Sequence, residues 1–296
     1  MPLLVEEAGK LSTVDLQRGI IEEIIDKEDL LAVLPFVRSE GKSYDYNRES
    51  TLSEAEFLSP YDPIPEDAAT FEEVNTKLRI LAGDVDIDKF LAETQSDLND
   101  QIAIQLQGKA KAITRKFRRS LAQGNAATNP KEFDGVLRLV APTQKIAAGS
   151  TALSFTMLDE LLDAVPNGAD AIFMTSAHIR ALRALLRATG GLEPAHIMMS
   201  NFGRPMLTHN GVPILVNDFM PVADNAGVKS ASIVAARLNE TDGLHGIFGG
   251  DAAGIRMEQI GTVQNKDAIR YRVKWYVSLA LKSTKSLATL DEVKVG

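Results

Sequence analysis

The longest amphipathic stretch of the chain covers residues 87–123 and reads IDKFLAETQSDLNDQIAIQLQGKAKAITRKFRRSLAQ. Apart from a gap after Leu91, apolar side chains recur every three or four residues, and polar side chains fill the other faces. The residues of this stripe are Ile87, Phe90, Leu91, Leu98, Ile102, Leu106, Ala110, Ile113, Phe117 and Leu121. The pattern predicts one helix roughly 55 Å long, far beyond a globular helix of about 12 residues. Taken alone, it indicates a long core helix or a coiled-coil helix.

The ends of this stretch carry charges of the sign that a helix favours. Asp86 and Asp88 stand before or in the first turn, and a cluster of cations in residues 115–119 stands in the last turns. Carboxylates stabilise the positive end of a helix dipole, and cations stabilise the negative end. The sequence therefore predicts that the helix begins near residue 87 and stops at Gly124.

Composition and charge exclude several classes of protein. The 45% hydrophobic and 24% charged fractions of the 296 residues are typical of an ordinary globular protein. The net charge of −8 disfavours a protein that binds nucleic acid through a general basic surface. The lack of cysteine excludes disulfides, thiolate metal sites and cysteine nucleophiles. The early acidic residues do not fit a signal peptide, and no apolar run is long enough to cross a membrane, so we expect a soluble chain made in the cytoplasm.

A first helix is predicted for residues 13–34. Two pairs of isoleucines, with Ile20 and Ile24 among them, give it a wide apolar face. Such a face needs a partner surface, either in its own chain or in a neighbouring one.

Residues 35–83 predict an extended arm of two strands. Residues 43–48 alternate, with Tyr44 and Tyr46 on one face, and residues 70–81 alternate again. Between them stand about 21 residues with three prolines, several acids and little apolar sequence, and a loop of that length is usually functional or disordered. Because an isolated two-stranded arm is marginal in water, it must pack on its own domain or be supported by another subunit.

The order of helix, strand and helix after the long helix indicates a mixed α/β unit. The pattern predicts a helix over residues 155–165, a buried strand over 170–174 and then a second helix. Residues 192–212 are irregular, with two prolines, two glycines and two histidines. Further short strands are predicted over 212–216 and 232–236.

The last part of the chain is rich in strands, predicted over residues 244–248, 254–260 and 268–281. The last of these alternates unusually well, with Val273 and Trp275 on one side and cationic residues on the other. A long sheet with one apolar face is the natural partner of a long helix with one apolar stripe. We therefore expect a shared core that contains Phe90, Leu98, Ile102, Leu106, Ile113, Phe117 and Trp275.

No motif of the sequence predicts a catalytic, cofactor-binding or metal-binding site. The four histidines show neither a spacing of four residues nor clustered carboxylates. Residues 84–88 have the spaced acids of a calcium loop, but Lys89 and Gln95 replace the glycine and glutamate that it needs. Residues 249–254 have the glycine spacing of a phosphate loop without its lysine and hydroxyl residue. We predict that the protein is not an enzyme and carries no cofactor.

Six short stretches, taken in their order, identify a family that the chain resembles. They are residues 81–91 (LAGDVDIDKFL), 129–135 (NPKEFDG), 169–185, 211–218 (GVPILVND), 272–277 (RVKWYV) and 286–288 (SLA). In this order, which spans nearly the whole chain, they resemble the major capsid proteins of tailed bacteriophages. Those proteins have the Hong Kong 97-type fold, which encapsulin shells share.

The resemblance implies an α+β fold with a long spine helix on an antiparallel sheet, called the P domain, and a mixed α/β axial or A domain. The implied divisions are an N-terminal arm over residues 1–34, an extended E-loop hairpin over 35–83, the P domain with the spine helix over 84–145, the A domain over 146–243, and C-terminal strands of the P domain over 244–296.

The resemblance also implies a structural function. We expect a major capsid protein that self-assembles into pentamers and hexamers of an icosahedral head and encloses the double-stranded DNA of a tailed phage or prophage. It would be assembled in the host cytoplasm and located in the virion. The expected partners are copies of the chain, a separate scaffolding protein, a portal and a decoration protein, with no membrane. The residues expected at subunit interfaces are Ile20, Ile24, Tyr44, Tyr46, Phe57, Tyr61, His196 and Phe202.

Three alternatives stay open. An encapsulin-type compartment shell has the same fold but encloses a cargo enzyme. A soluble α/β enzyme with its site near residues 190–210 would require His196 or His209 to approach a carboxylate. A DNA-binding protein would require the basic residues to be sorted onto one face.

Overall fold

Two large sheets and a separate hairpin organise the chain, which is a mixed α+β protein as predicted. The computed structural model describes residues 33–51, 53, 55–59, 64, 66, 68–94, 101–188, 196–198, 205–225, 227–250 and 254–295. The predicted helix over 13–34, with Ile20 and Ile24, lies outside the described residues. Tyr61, Leu98 and Phe202 also lie outside them.

The strands and helices have the following bounds. The strands are β1 (Phe36–Ser39), β2 (Ser43–Thr51), β3 (Thr70–Lys77), β4 (Arg79–Asp88), β5 (Lys145–Ala147), β6 (Ala171–Met174), β7 (His196–Met198), β8 (Pro205–His209), β9 (Val212–Val216), β10 (Val222–Asn225), β11 (Val228–Ala236), β12 (Leu244–Gly249), β13 (Arg256–Thr262), β14 (Ala268–Leu281) and β15 (Leu287–Lys294). The helices are α1 (Lys89–Thr94), α2 (Gln101–Gln123), α3 (Val136–Leu139), α4 (Phe155–Asp163) and α5 (Ser176–Ala188), with 3-10 turns at Pro142–Gln144 and Thr284–Ser286.

β14 is the central strand of the first sheet, and its bounds are those predicted from its alternation. β4 and β13 both pair with residues 269–274 of β14, so they lie on its opposite sides. β12 pairs with the end of β14 on the same side as β13, and β1 extends the sheet by pairing parallel with β12. The alternation leaves Val273, Trp275 and Val277 buried on one face.

The predicted single helix over residues 87–123 is wrong at its start. Ile87 belongs to β4, α1 follows it, and α2 begins at Gln101. The reason is that residues 79–88 also alternate with a period of two, and this pattern pairs with β14 along the whole length of β4. Pairing with a long strand outweighs the local helix-start signal of the acids.

The acids near this point mostly serve the sheet, which corrects their assignment to a helix start. Asp86 accepts hydrogen bonds from Arg270 at 2.6 and 2.7 Å, and Asp84 accepts two from Arg272 at 2.8 Å each. Hydrogen bonding from these guanidinium groups lowers the pKa of both carboxyl groups. Asp88 does serve a helix, because its Oδ1 accepts from the backbone N–H of Leu91 at 3.3 Å.

The face of α2 that meets the first sheet is centred on Phe117. This side chain is fully buried, and its ring centroid lies 4.7 Å from that of Trp275. Ile113, one turn earlier, is buried in the same core, and Leu106 is partly buried against it. Ile102, nearer the start of α2, is only half-buried. The apolar stripe therefore becomes more deeply buried toward the end of the helix.

Phe90 does not join this core, contrary to the expectation from the stripe. Its side chain is 66% exposed, and Leu91 is the buried residue of α1. The prediction that Phe90 is buried depended on one continuous helix. Because α1 has only six residues and directly follows a strand, its orientation differs from that of α2, and Leu91 rather than Phe90 faces the interior.

The second sheet separates two cores. Phe173 of β6 and Val234 of β11 pack into the core of α2, while their chain neighbours Ile172 and Ile233 pack into a core with α4 and α5. Since successive side chains of a strand point to opposite faces, the runs of apolar residues in β6 and β11 fill both cores.

The last strand belongs to the second sheet. β15 pairs antiparallel with β11 and parallel with β5, so it does not belong to the first sheet, which contains β12, β13 and β14. Within the predicted C-terminal segment 244–296, β12 to β14 therefore belong to the first sheet and β15 to the second, while the division into domains stays a prediction. The chain passes from the first sheet to the second between β14 and β15. Ser286 holds this connection in place, because its hydroxyl donates to the carbonyl of Asp242 at 2.8 Å.

We expect Phe117→Ala to lower the free energy of unfolding by about 3–5 kcal/mol, because it leaves a cavity beside Trp275. The same change at exposed Phe90 should cost no more than about 0.5 kcal/mol. Urea unfolding followed by the fluorescence of Trp275, the chain's single tryptophan, measures both. Equal losses at the two positions would contradict the placement of Phe90 outside the core.

Candidate assembly surface

The predicted arm is a two-stranded hairpin formed by β2 and β3. The two strands pair antiparallel, with Tyr44 opposite Thr76 and Tyr46 opposite Val74. Alternating aromatic, β-branched and polar residues favour this structure. The hairpin ends where the backbone N–H of Leu78 donates to the carbonyl of Lys42 at 2.9 Å. β4 starts directly after this point, so the hairpin is a continuation of the first sheet's edge strand.

The base of the hairpin is fixed to the end of β14. The hydroxyl of Tyr46 donates to the carbonyl of Leu281 at 2.6 Å. The guanidinium of Arg48 donates through Nε to the carbonyl of Lys282 and through Nη2 to that of Leu281, both at 2.8 Å. These bonds cap carbonyl groups at the point where β14 ends. Arg48 lies on the same face of β2 as Tyr44 and Tyr46, and its role was not predicted from the sequence.

Tyr44 completes the base by packing on His245. The two rings meet edge to face with centroids 5.6 Å apart, and the Lys282 ammonium lies 5.8 Å from the centroid of Tyr44. His245 is fully buried, and this burial lowers its pKa, so it is neutral at physiological pH. Tyr44 and Tyr46 thus both contact other residues of their own subunit, and their place at a subunit interface stays a prediction. The sequence left two ways to support the arm: packing on its own domain or contact with another subunit. The base of the arm packs on its own domain.

The hairpin beyond its base exposes large apolar side chains. Phe57 is fully exposed, Ile64 is 79% exposed and Phe71 on β3 is 68% exposed, and Leu58 is exposed as well. Burial of one such side chain is worth about 1.5–3 kcal/mol. Groups of exposed apolar side chains commonly mark a surface that meets another molecule. In the described part of the hairpin, the base therefore packs on its own subunit, whereas the apolar side chains beyond the base stay exposed to solvent.

His196 and His209, the two histidines singled out from the sequence, belong to β7 and β8 at one edge of the second sheet. His196 is the first residue of β7, where it pairs with Leu207 of β8. His209 does meet a carboxylate, since its Nε2 lies 2.9 Å from Oδ1 of Asp159. The same oxygen accepts from Asn210 at 2.8 Å. This arrangement ties the β8–β9 turn to α4, which is a structural role.

The remaining buried histidine is also structural. His178, near the start of α5, is fully buried, with Nδ1 3.2 Å from the hydroxyl of Thr175 and Nε2 3.3 Å from the carbonyl of Val293. The Thr175 hydroxyl also accepts from the backbone N–H of His178 at 3.4 Å and caps the helix. The described residues contain no group of three or more potential metal ligands. Among the described helices, none has the length and apolar character needed to span a membrane.

Comparison with known proteins matches residues 80–296 to the family model described as type 2A encapsulin shell protein, SrpI-like. The type 2A encapsulin shell protein of Mycolicibacterium paratuberculosis is 29% identical over 280 residues, which are 90% of this chain and 86% of that protein. Among solved structures, the holo-SrpI encapsulin complex from Synechococcus elongatus superposes with a TM-score of 0.77 at 22% identity, covering 99% of this chain and 96% of the other. A structure from Microbacterium phage Oxtober96 superposes with a TM-score of 0.68 at 13% identity, covering 97% of this chain and 98% of the other.

These matches confirm the predicted Hong Kong 97-type fold. They favour the encapsulin alternative over the phage head, because the relatives matched by sequence are encapsulin shell proteins and the phage likeness is one of fold alone. The enzyme alternative receives no support, since the relatives are structural shell proteins.

We expect Tyr46→Phe to loosen the base of the hairpin and to cost roughly 0.5–1.5 kcal/mol at pH 7, because one largely buried hydrogen bond is lost. Burial raises the pKa of Tyr46, although Arg48 opposes the rise. A raised folded-state pKa means that the tyrosine's contribution is complete below the ordinary pKa of about 10 and is lost as the pH rises through the folded-state value. The difference between parent and Tyr46→Phe should therefore shrink at alkaline pH.

Urea unfolding at pH 7 and at stepwise higher pH tests this expectation. Tyr271→Phe is the control, because that tyrosine lies on β14 away from the hairpin base. A difference between parent and Tyr46→Phe that is constant with pH, or equal to that of the control, would contradict it.

Proposed function

This chain belongs to the family of SrpI-like type 2A encapsulin shell proteins, and we propose that it assembles with copies of itself into a closed icosahedral shell around a cargo protein. The hairpin beyond its base is the observation that supports this proposal in the structure. Its exposed phenylalanines and aliphatic side chains are large enough to need burial, and the subunit itself does not bury them.

The proposal assigns separate tasks to the two ends of the hairpin. The base, held by Tyr46 and Arg48, sets the direction of the arm relative to the first sheet. The far end, with Phe57, Ile64 and Phe71, lies on a neighbouring subunit and loses its exposed apolar surface there. Obligate interfaces of this kind bury about 2,000 Å² or more and need no catalytic residue. Phe57 thereby keeps its predicted place at a subunit interface.

A protein cargo fits this chain better than packaged DNA. The sequence relatives are compartment shell proteins, and the net charge of −8 opposes a dense polyanion inside the shell. The scaffolding protein, portal, decoration protein and virion location were implied by the phage resemblance, and the proposal does not include them.

Phe71→Asp tests the assembly surface. We expect this variant to remain folded, because Phe71 lies on an exposed strand, but to elute as a species much smaller than the parent shell. Size-exclusion chromatography with negative-stain microscopy measures assembly, and circular dichroism measures folding. Phe71→Leu, which keeps an apolar side chain, should still form shells. If Phe71→Asp formed shells as readily as the parent, the hairpin would not be the assembly surface.

The contents of the shell provide a second test. Shells isolated from the cells that produce them naturally should contain a second protein in a fixed ratio to the shell subunit. After nuclease treatment they should contain no protected long nucleic acid. Gel electrophoresis with mass spectrometry and the ratio of absorbance at 260 and 280 nm measure the two quantities. Protected double-stranded DNA without a second protein would favour the phage head instead.

A further inference from the structure

A cavity of about 440 Å³ lies at the base of the hairpin. Its walls come from β2 and β3, from the end of β14 and from the segment that follows α2. The volume falls in the range of small-ligand sites. Four of its lining side chains are cationic: Arg48, Lys77, Arg79 and Arg138.

The charge of this cavity is not balanced by its own walls. Asp134 is the single carboxylate among the lining residues, and its Oδ1 already accepts from the backbone N–H of Ala126 at 2.9 Å. Four cations against one carboxylate leave a local excess of three positive charges in a chain whose net charge is −8. Like charges gathered at a concave surface raise its affinity for anions.

The hydrogen-bonding groups of the cavity are also incompletely used. The Nε of Arg79 is buried and has no hydrogen-bond partner among the described residues. Arg48 donates to the neutral backbone carbonyls of Leu281 and Lys282. Lys77 and Arg138 are exposed and lie at the rim. A buried donor without an acceptor is unfavourable. The positive charge of Arg79 at the cavity wall attracts an anion.

We propose that this cavity is a binding site for an oxyanion, either a phosphate or a carboxylate group. Guanidinium groups match the planar, two-pronged geometry of these anions, and the half-buried Arg48 and Arg79 lie beneath a rim that carries two further cations. The site lies within one subunit, so it does not depend on the proposed assembly. The oxyanion can come from free phosphate in solution. It can also come from a neighbouring copy of the chain, whose residues 52–69 carry five acids and no lysine or arginine.

The test uses inorganic phosphate as the probe and titrates it by calorimetry at constant ionic strength. The parent protein should bind phosphate saturably, with about one site per subunit. Arg79→Met should weaken that binding about tenfold or more, because it removes one of the two half-buried cations of the cavity. Arg138→Met, at the exposed rim, should weaken it less and is the variant that leaves the fold undisturbed. Arg119→Met, which removes an exposed arginine of α2 away from the cavity, is the matched control and should bind as the parent does.

The source of the oxyanion is separated by comparing assembled shells with the Phe71→Asp subunit. Binding by both supports a site for free phosphate. Binding by the unassembled subunit alone supports the same site filled in the shell by a carboxylate of a neighbouring copy. The proposal is overturned if neither form binds phosphate, or if Arg79→Met and Arg138→Met bind it as tightly as Arg119→Met.

Discussion

The packing of Phe117 against Trp275 is the contact on which the rest of the subunit depends. It joins the long helix α2 to the central strand β14, and Phe36 and Phe133 surround it with ring centroids 5.5–6.3 Å away from Phe117 or Trp275. These four rings come from four separate parts of the chain. Aromatic side chains contribute more buried area than any others, so this cluster fixes the helix, the edge of the sheet and the connecting segment in one place.

The strand that carries Trp275 also fixes the hairpin. β14 packs on α2 through its middle, pairs with β4 along most of its length and ends at the carbonyls that Tyr46 and Arg48 cap. A displacement of β14 relative to α2 would therefore move the base of the hairpin as well. The direction in which the arm leaves the subunit is set by the core, although the arm itself has little core of its own.

Secondary structure was predicted most accurately where the apolar residues followed a single periodicity. Residues 268–281 alternate without interruption, and β14 has those bounds. At residues 79–88 two signals competed, and the acids before Lys89 indicated a helix start because Arg270 and Arg272 are distant in sequence. The same reason hid the contact of Arg48 with Lys282 and the pairing of β15 with β11. Local patterns report periodicity, whereas contacts between residues that are more than 50 positions apart depend on the assembled fold.

The unequal ends of the hairpin indicate the order of folding and assembly. Its base makes all of the contacts described above within one chain, so a subunit can hold the arm in place before it meets another subunit. The exposed apolar side chains are at the other end, with Ile64 and Phe71, where their burial waits for a partner. The free energy that drives association is then separate from the free energy that stabilises the fold. A subunit built in this way can fold first and assemble afterwards, with its arm already directed at the neighbour.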